Sequence, residues 1–453
     1  MNGKIIISCL LSCVSVSASE PLALSKDYWK DEAFLKSFNG SYRINARIEP
    51  SVSTDERGLL VSVQPLMADG KREEALALLT ANELINSSAA IAFNAGNIQF
   101  EIGELEAAEQ SYLRALELFP SFRRAHRNLG FVYVRQNNWD KALAAFEESI
   151  RLGDLDAATF GQLAFGRMQA GQYAAALQSF QMAQLTQPET AEWKAGAAQC
   201  MHELKRHEEA LSLLDQVIEA RPMEAAYYIL QVSVYLSMDR IDDAVANLEL
   251  VRRMGKLDAS NYLLLANLHL RSGSTQLARP VMMAAMEMDP KASCEAAVNL
   301  LEFVVSIRDW SLARDFSAAI EKSYPDISND KLLRKQKYLR AFVDYESGDD
   351  PQRAVSVLED IVKQDPLAAK PLILLARYRA AKQRYQEAIM LLDQAAGVEG
   401  HEYNASLERA KVRVAIKNYT EAVADLDKAL EIRPSEELRR YREAIHYLAT
   451  ANE

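Results

Sequence analysis

Proline and glycine are scarce in this chain, at 13 and 17 of 453 residues. A β-sandwich or barrel of that length needs frequent turns, which draw on both residue types. Their shortage excludes such folds and favours helices. Cysteine is nearly absent, with four residues, so no dense disulfide scaffold is built. Basic charge is in deficit: 52 Lys and Arg against 63 Asp and Glu leave a net −11. That balance argues against general binding to nucleic acid or to an anionic membrane surface. Beyond the first residues, no run of eighteen apolar residues is long enough to span a bilayer.

Catalytic motifs are also missing. There is no glycine-rich phosphate loop, no dinucleotide fingerprint and no Gly-x-Ser-x-Gly. His202-Glu203-Leu204-Lys205-Arg206-His207 superficially matches a zinc-protease motif, but its histidines are five apart rather than four. Five residues rotate the second imidazole off the face of a helix, so no metal or cofactor is expected. The chain reads as non-enzymatic.

What is present begins with an address. Met1-Asn2-Gly3-Lys4 carries one positive charge, and residues 5–18 are uncharged and largely apolar. This is the pattern of a secretory signal peptide over 1–18, with Val16-Ser17-Ala18 as small residues before the cut. The mature protein is then expected in the periplasm. An alternative reads Leu10-Leu11-Ser12-Cys13 as a loose lipobox, with Cys13 a lipid-anchored N terminus at the outer membrane. Cys200 and Cys294 then remain, three repeat units apart, and are expected to be unbridged small hydrophobes.

A period of 34 residues organises the rest. Ala108, Ala142, Ala176, Ala210, Ala244 and Ala278 are evenly spaced by it, and Ala75 lies 33 residues before them. Ala313 follows 35 residues on, Ala354 another 41, and Ala388 and Ala422 resume the period. Four residues after most of them comes a bulky side chain, such as Tyr112, Phe146, Phe180 or Leu214. Positions four apart share a helix face, so the alanine admits a neighbouring helix and the bulky residue fills the groove beside it. Gly96 and Gly130 hold a small-residue position upstream, where other units carry Ala164, Ala198 and Ala266. Gly103, Gly171 and Gly273 mark turns between two helices, and Pro120, Pro188 and Pro222 end units.

A helix–turn–helix unit of this length resembles the tetratricopeptide (TPR) repeat over residues 55–434. The resemblance implies an all-α, right-handed superhelical solenoid of about eleven repeats that binds other proteins. Repeats 1–8 are placed at 55–325 and repeats 9–11 at 326–434. A capping helix is placed at 435–453, opened by Ser435 as N-cap. The stretched spacing between Ala313 and Ala354 reads as a lengthened loop, or as a hinge near residue 330. Residues 19–54 form a linker with an aromatic, amphipathic segment that either packs on the first repeats or docks a partner.

The repeat register places Phe93, Asn97 and Phe100 of repeat 2 on the concave face. It adds Arg124, Arg127, Asn128, Phe131, Val134 and Arg135 from repeat 3, and Phe165, Met168 and Gln169 from repeat 4. Aromatic residues beside arginines suit a protein or peptide ligand with apolar anchors and a carboxylate. The competing reading is that the Phe and Met residues are inter-helix core. Asn97, Arg127 and Asn128 partly match the carboxylate clamp of chaperone-binding TPR domains, although Phe93 stands where that clamp has a basic residue.

Three stretches carry a narrower resemblance. They are Phe34-Leu35-Lys36-Ser37-Phe38-Asn39-Gly40-Ser41-Tyr42 with Glu49-Pro50-Ser51-Val52-Ser53, the segment Phe119-Pro120-Ser121-Phe122-Arg123-Arg124-Ala125-His126-Arg127-Asn128-Leu129-Gly130, and Asn247-Leu248-Glu249-Leu250-Val251-Arg252-Arg253. They resemble bacterial exported TPR proteins encoded beside TonB energy-transduction systems. That implies a periplasmic accessory of TonB-dependent uptake, with TonB, ExbB- or ExbD-type proteins as partners. An outer-membrane assembly or secretion lipoprotein is the alternative.

Overall fold

The computed structural model describes residues 47–288, 292–348 and 350–451. The expected signal peptide, Cys13 and most of the linker lie outside the described residues. The described elements are 23 α-helices and one short 3-10 helix.

The described residues fall into two compact units that divide between Lys256 and Leu257. The first holds α1 Thr54–Ala68, α2 Arg72–Thr80, α3 Ala89–Ile102, α4 Leu105–Leu118, α5 Arg123–Arg135 and α6 Trp139–Arg151. It continues with α7 Ala157–Gln169, α8 Tyr173–Thr186, α9 Ala191–Glu203, α10 His207–Ala220, α11 Ala225–Ser237 and α12 Ile241–Arg253. The second holds α13 Ala259–Arg271, α14 Thr275–Glu287, α15 Cys294–Ser306, α16 Trp310–Ser323, α17 Asp330–Ser347 and α18 Pro351–Gln364. It ends with α19 Ala369–Ala381, α20 Tyr385–Ala396, α21 Glu402–Ala415, α22 Tyr419–Ile432 and α23 Glu436–Ala451. Each unit is a stack of helix pairs, and the residue count of a pair is the sequence period.

Packing explains why the small positions recur. All eleven alanines, from Ala75 to Ala422, are buried. In the first unit glycine goes further than alanine. A Cβ on Gly96 would stand 2.9 Å from the Tyr112 ring, and one on Gly130 would stand 2.5 Å from the Phe146 ring. Both rings come from the second helix of the same pair. Gly196 of α9 instead receives the Phe180 ring from α8 of the preceding pair, at 2.3 Å from an added Cβ. Missing side chains thus bring backbone and ring into direct contact.

The turn inside each pair is equally regular. One residue per pair has positive φ: Gly70, Gly103, Asn137, Gly171, Lys205, Asp239, Gly273, Arg308, Gly348, Gln383 and Lys417. The left-handed residue lets the chain close a double hydrogen bond at the helix end. In the third pair Asn137 N–H reaches Val134 O at 3.0 Å and Asn138 N–H reaches Tyr133 O at 2.8 Å. The turns read from the sequence were only those where glycine supplies this conformation.

The break in the period is absorbed mainly by helix. α17 has 18 residues, whereas α5 and α7 have 13 each. A lengthened loop was the expectation, and the connector at 324–329 is only part of the difference. Nor do the compact units divide near residue 330. α17 is tied to the preceding pair by Lys335 Nζ on Asn299 Oδ1 at 2.7 Å, Gln336 Nε2 on Glu321 Oε1 at 3.1 Å, and the Phe342 ring edge-on to Trp310. At the end of the chain, Ser435 Oγ accepts from Leu438 N–H at 3.1 Å, and Leu438 and Ile445 of α23 pack on α22.

Two outcomes follow for stability. Gly130→Ala is expected to lose about 1–3 kcal/mol by overpacking against Phe146, despite alanine's better helix propensity. Chemical denaturation checks this, with Ala164→Gly as the converse at the equivalent position. Arg308→Gly is expected to gain about 1 kcal/mol by relieving a left-handed non-glycine residue. A rise in its thermal midpoint relative to the parent chain is the readout.

Candidate functional site around Arg124

The apolar half of the expected surface is core. Phe93, Phe100, Phe131, Phe165 and Met168 are all buried. Phe93 packs against Tyr112 and Phe122, with ring centroids 5.7 and 4.7 Å away. Phe131 meets Phe146 edge-on at 5.2 Å, and Phe165 meets Phe180 edge-on at 5.1 Å. Met168 Sδ lies 3.7 Å from Cys200 Sγ. The physical reason is the repeat itself: helical spacing puts these side chains toward the partner helix, so the core reading holds for them. Burial pushes the Cys200 thiol up to about 12, which leaves it an inert packing group, and both Cys200 and Cys294 are free.

Asn97 and Asn128 are also internal. Asn128 Nδ2 donates to Asn97 Oδ1 at 2.9 Å, and the Tyr112 hydroxyl donates to the same oxygen at 2.7 Å. Burial raises the Tyr112 pKa well above its ordinary value, so it remains a donor. This network ties α3, α4 and α5 together. Arg135 lies over the Phe100 ring, 4.8 Å from its centroid, and donates to Phe100 O at 3.0 Å.

The arginines at the start of α5 are arranged differently. Arg124 donates three hydrogen bonds to the Glu49 carboxylate, at 2.8 to 3.1 Å. Its guanidinium sits 5.1 Å from the Phe93 ring centroid and 5.8 Å from that of Phe122. Arg123 approaches the same carboxylate at 3.7 Å, and Arg127 lies 3.8 Å from Asp156. Glu49 is only 3% exposed. A cationic cluster therefore stands at a helix N terminus, where the helix dipole also favours an anion. Arg123, Glu49 and Asp156 were missed as site residues. Glu49 and Arg123 belong to the quoted stretches, but nothing in the period joins positions more than seventy residues apart.

His202 and His207 flank an inter-helix turn. Their ring nitrogens Nδ1 face each other at 3.2 Å, because the turn at 204–206 folds the start of α10 back beside the end of α9. Among the described residues no group of three or more metal-ligating side chains occurs. Burial, with the charges of His207 and Lys205, holds His202 down to about 4. The folded value lies below the usual 6.5, so the fold favours neutral His202. Its contribution is complete above about pH 6.5 and is lost as pH falls toward 4. His202→Gln is expected to flatten stability over that window. Denaturation of parent and variant between pH 7 and 4 measures the difference, and parallel curves would contradict it.

Comparison with known proteins agrees with the geometry. Family profiles described as tetratricopeptide repeat match residues 62–157, 167–233, 259–292 and 339–437. The mouse tetratricopeptide repeat protein 16 is 23% identical over 351 residues, which is 70% of this chain and 45% of that protein. The chain thus spans less than half the length of that curated relative. Among solved structures, YrrB, a TPR protein with an unusual peptide-binding site, is 24% identical with a TM-score of 0.38, covering 41% of this chain and 93% of that one. PilF of Pseudomonas aeruginosa is 15% identical with a TM-score of 0.39, covering 48% and 97%. Tetratricopeptide repeat profiles that match well over half of the chain, with one buried alanine and one left-handed turn in each of the eleven described helix pairs, make this chain a member of the tetratricopeptide repeat family.

Proposed function

We propose that this chain is a non-enzymatic periplasmic scaffold that holds a protein partner through the arginine cluster of α5, as an accessory of a TonB-type transport system. TPR folds bind peptide or protein partners, and that much comes with the family. The observation that carries the finer reading is Arg124, a buried cation stacked on Phe93 and Phe122 and engaged by a carboxylate. Arginine inside a repeat is not needed for packing, and its planar fork suits carboxylate recognition. The periplasmic setting rests on the charge and hydropathy of residues 1–18. The transport setting rests on the three stretches that resemble TonB-associated exported TPR proteins.

The test is affinity capture from bacterial envelope extracts with the full chain tagged at its C terminus. It is run beside Arg123→Glu, a change at the more exposed arginine of the cluster. Recovery of TonB, ExbB-type, ExbD-type or outer-membrane receptor proteins, reduced by the substitution, is the expected result. Recovery of envelope-assembly factors alone would overturn the transport reading and favour the lipoprotein alternative at Cys13.

A further inference from the structure

We infer that residues 47–50 occupy, within the same chain, a receptor site centred on Arg124 for a peptide turn with one carboxylate side chain, and that a partner's segment of that kind takes their place. The inference rests on the proposed scaffold function and names the ligand chemistry of its site.

Three consecutive residues of the segment are read by Ser121, Arg123 and Arg124. The Ser121 hydroxyl donates to Arg47 O at 2.8 Å. The Arg123 backbone N–H donates to Ile48 O at 3.2 Å. Arg124 takes the Glu49 carboxylate. Two of the three contacts are to main-chain carbonyls and carry no sequence information. The third requires a carboxylate. A site of this kind accepts a chain turn with one acidic side chain at a fixed place, so recognition is by main-chain carbonyls with a single charged anchor.

The site is built independently of its occupant. Arg124 is held by the Phe93 and Phe122 rings, both part of the core between α3 and α5. The first turn of α5 contains two arginines and no acidic residue, and its N-cap residue Phe122 supplies no side-chain acceptor. Ile48 O therefore accepts from a first-turn N–H, and the Glu49 carboxylate brings an anion to the positive end of the helix. Pro50 limits the occupant, since it has no N–H to extend the pairing. The segment lies three residues before α1, so it is tethered to the array, and a partner's segment must compete with an effective concentration on the order of millimolar.

The experiment uses a fluorescein-labelled synthetic peptide of residues 43–53 added to the full chain, read by fluorescence anisotropy. The parent chain is expected to bind it weakly, because its own segment fills the site. Glu49→Lys sets a cation against Arg124 and expels the resident segment. That variant is expected to bind the peptide at least about ten-fold more tightly than the parent. The gain is expected to vanish for a peptide carrying Glu49→Gln. Glu49→Gln in the chain, a milder change, is expected to give a smaller gain in the same direction and serves if the lysine variant fails to fold. Equal binding by parent and both variants, with unchanged helical circular dichroism, overturns the inference. So does a gain that persists with the Glu49→Gln peptide. A concentration-dependent dimer of the parent chain that dissociates on adding peptide overturns occupancy within one chain and assigns the site to a second copy. Capture of TonB-type proteins with no peptide binding would sink this inference and leave the proposed scaffold standing.

Discussion

The close approach of two helices at a position without a side chain is the constraint on which the array depends. Where α3 and α5 carry Gly96 and Gly130, the rings of Tyr112 and Phe146 lie directly on helical backbone. Interiors packed to crystal-like density tolerate little change of volume, so this fit constrains the separation and rotation of these two pairs. The 34-residue period is this geometry written along the chain.

The arginine cluster depends on the same packing. Phe93 and Phe122 are core residues, yet their rings form the platform under Arg124. A cation over an aromatic face gains attraction from the ring quadrupole, which adds to its pairing with Glu49. Removing one member of a buried charge pair leaves the other uncompensated, so Glu49 and Arg124 hold each other in the interior. Core and binding chemistry are thus one structure at α5, and the hydrogen bonds of Asn97, Asn128 and Tyr112 brace it from beneath.

Most of the fold was legible because packing repeats. The alanine series and the left-handed turn each report a local rule met in all eleven described pairs, and a bulky residue stands four after every one of those alanines except Ala313. What the sequence obscured were places where a rule is met by a less obvious residue. Lys205, Asp239 and Arg308 adopt the left-handed turn that Gly103 announces. The extra residues before Ala354 went largely into α17, since a loop of that length leaves more backbone unpaired than a longer helix does. At the site, helical register assigned Arg124 and Arg127 to the concave face, and the structure sets both in the first two turns of α5. It could not separate Phe93 and Phe131 from the core, because core and concave face share the same apolar alphabet. Glu49 was invisible as a partner because its contact with Arg124 crosses 75 positions with no periodic relation between them.

The central claim is that Glu49 and Arg124 are energetically coupled rather than merely adjacent. A double-mutant cycle on unfolding free energy, with Glu49→Ala, Arg124→Ala and both together, measures that coupling. The account predicts an interaction energy of more than about 1 kcal/mol, with the double variant more stable than the sum of the single losses implies. Additive losses, with coupling near zero, would mean that the segment and the arginine are independent, and would contradict it.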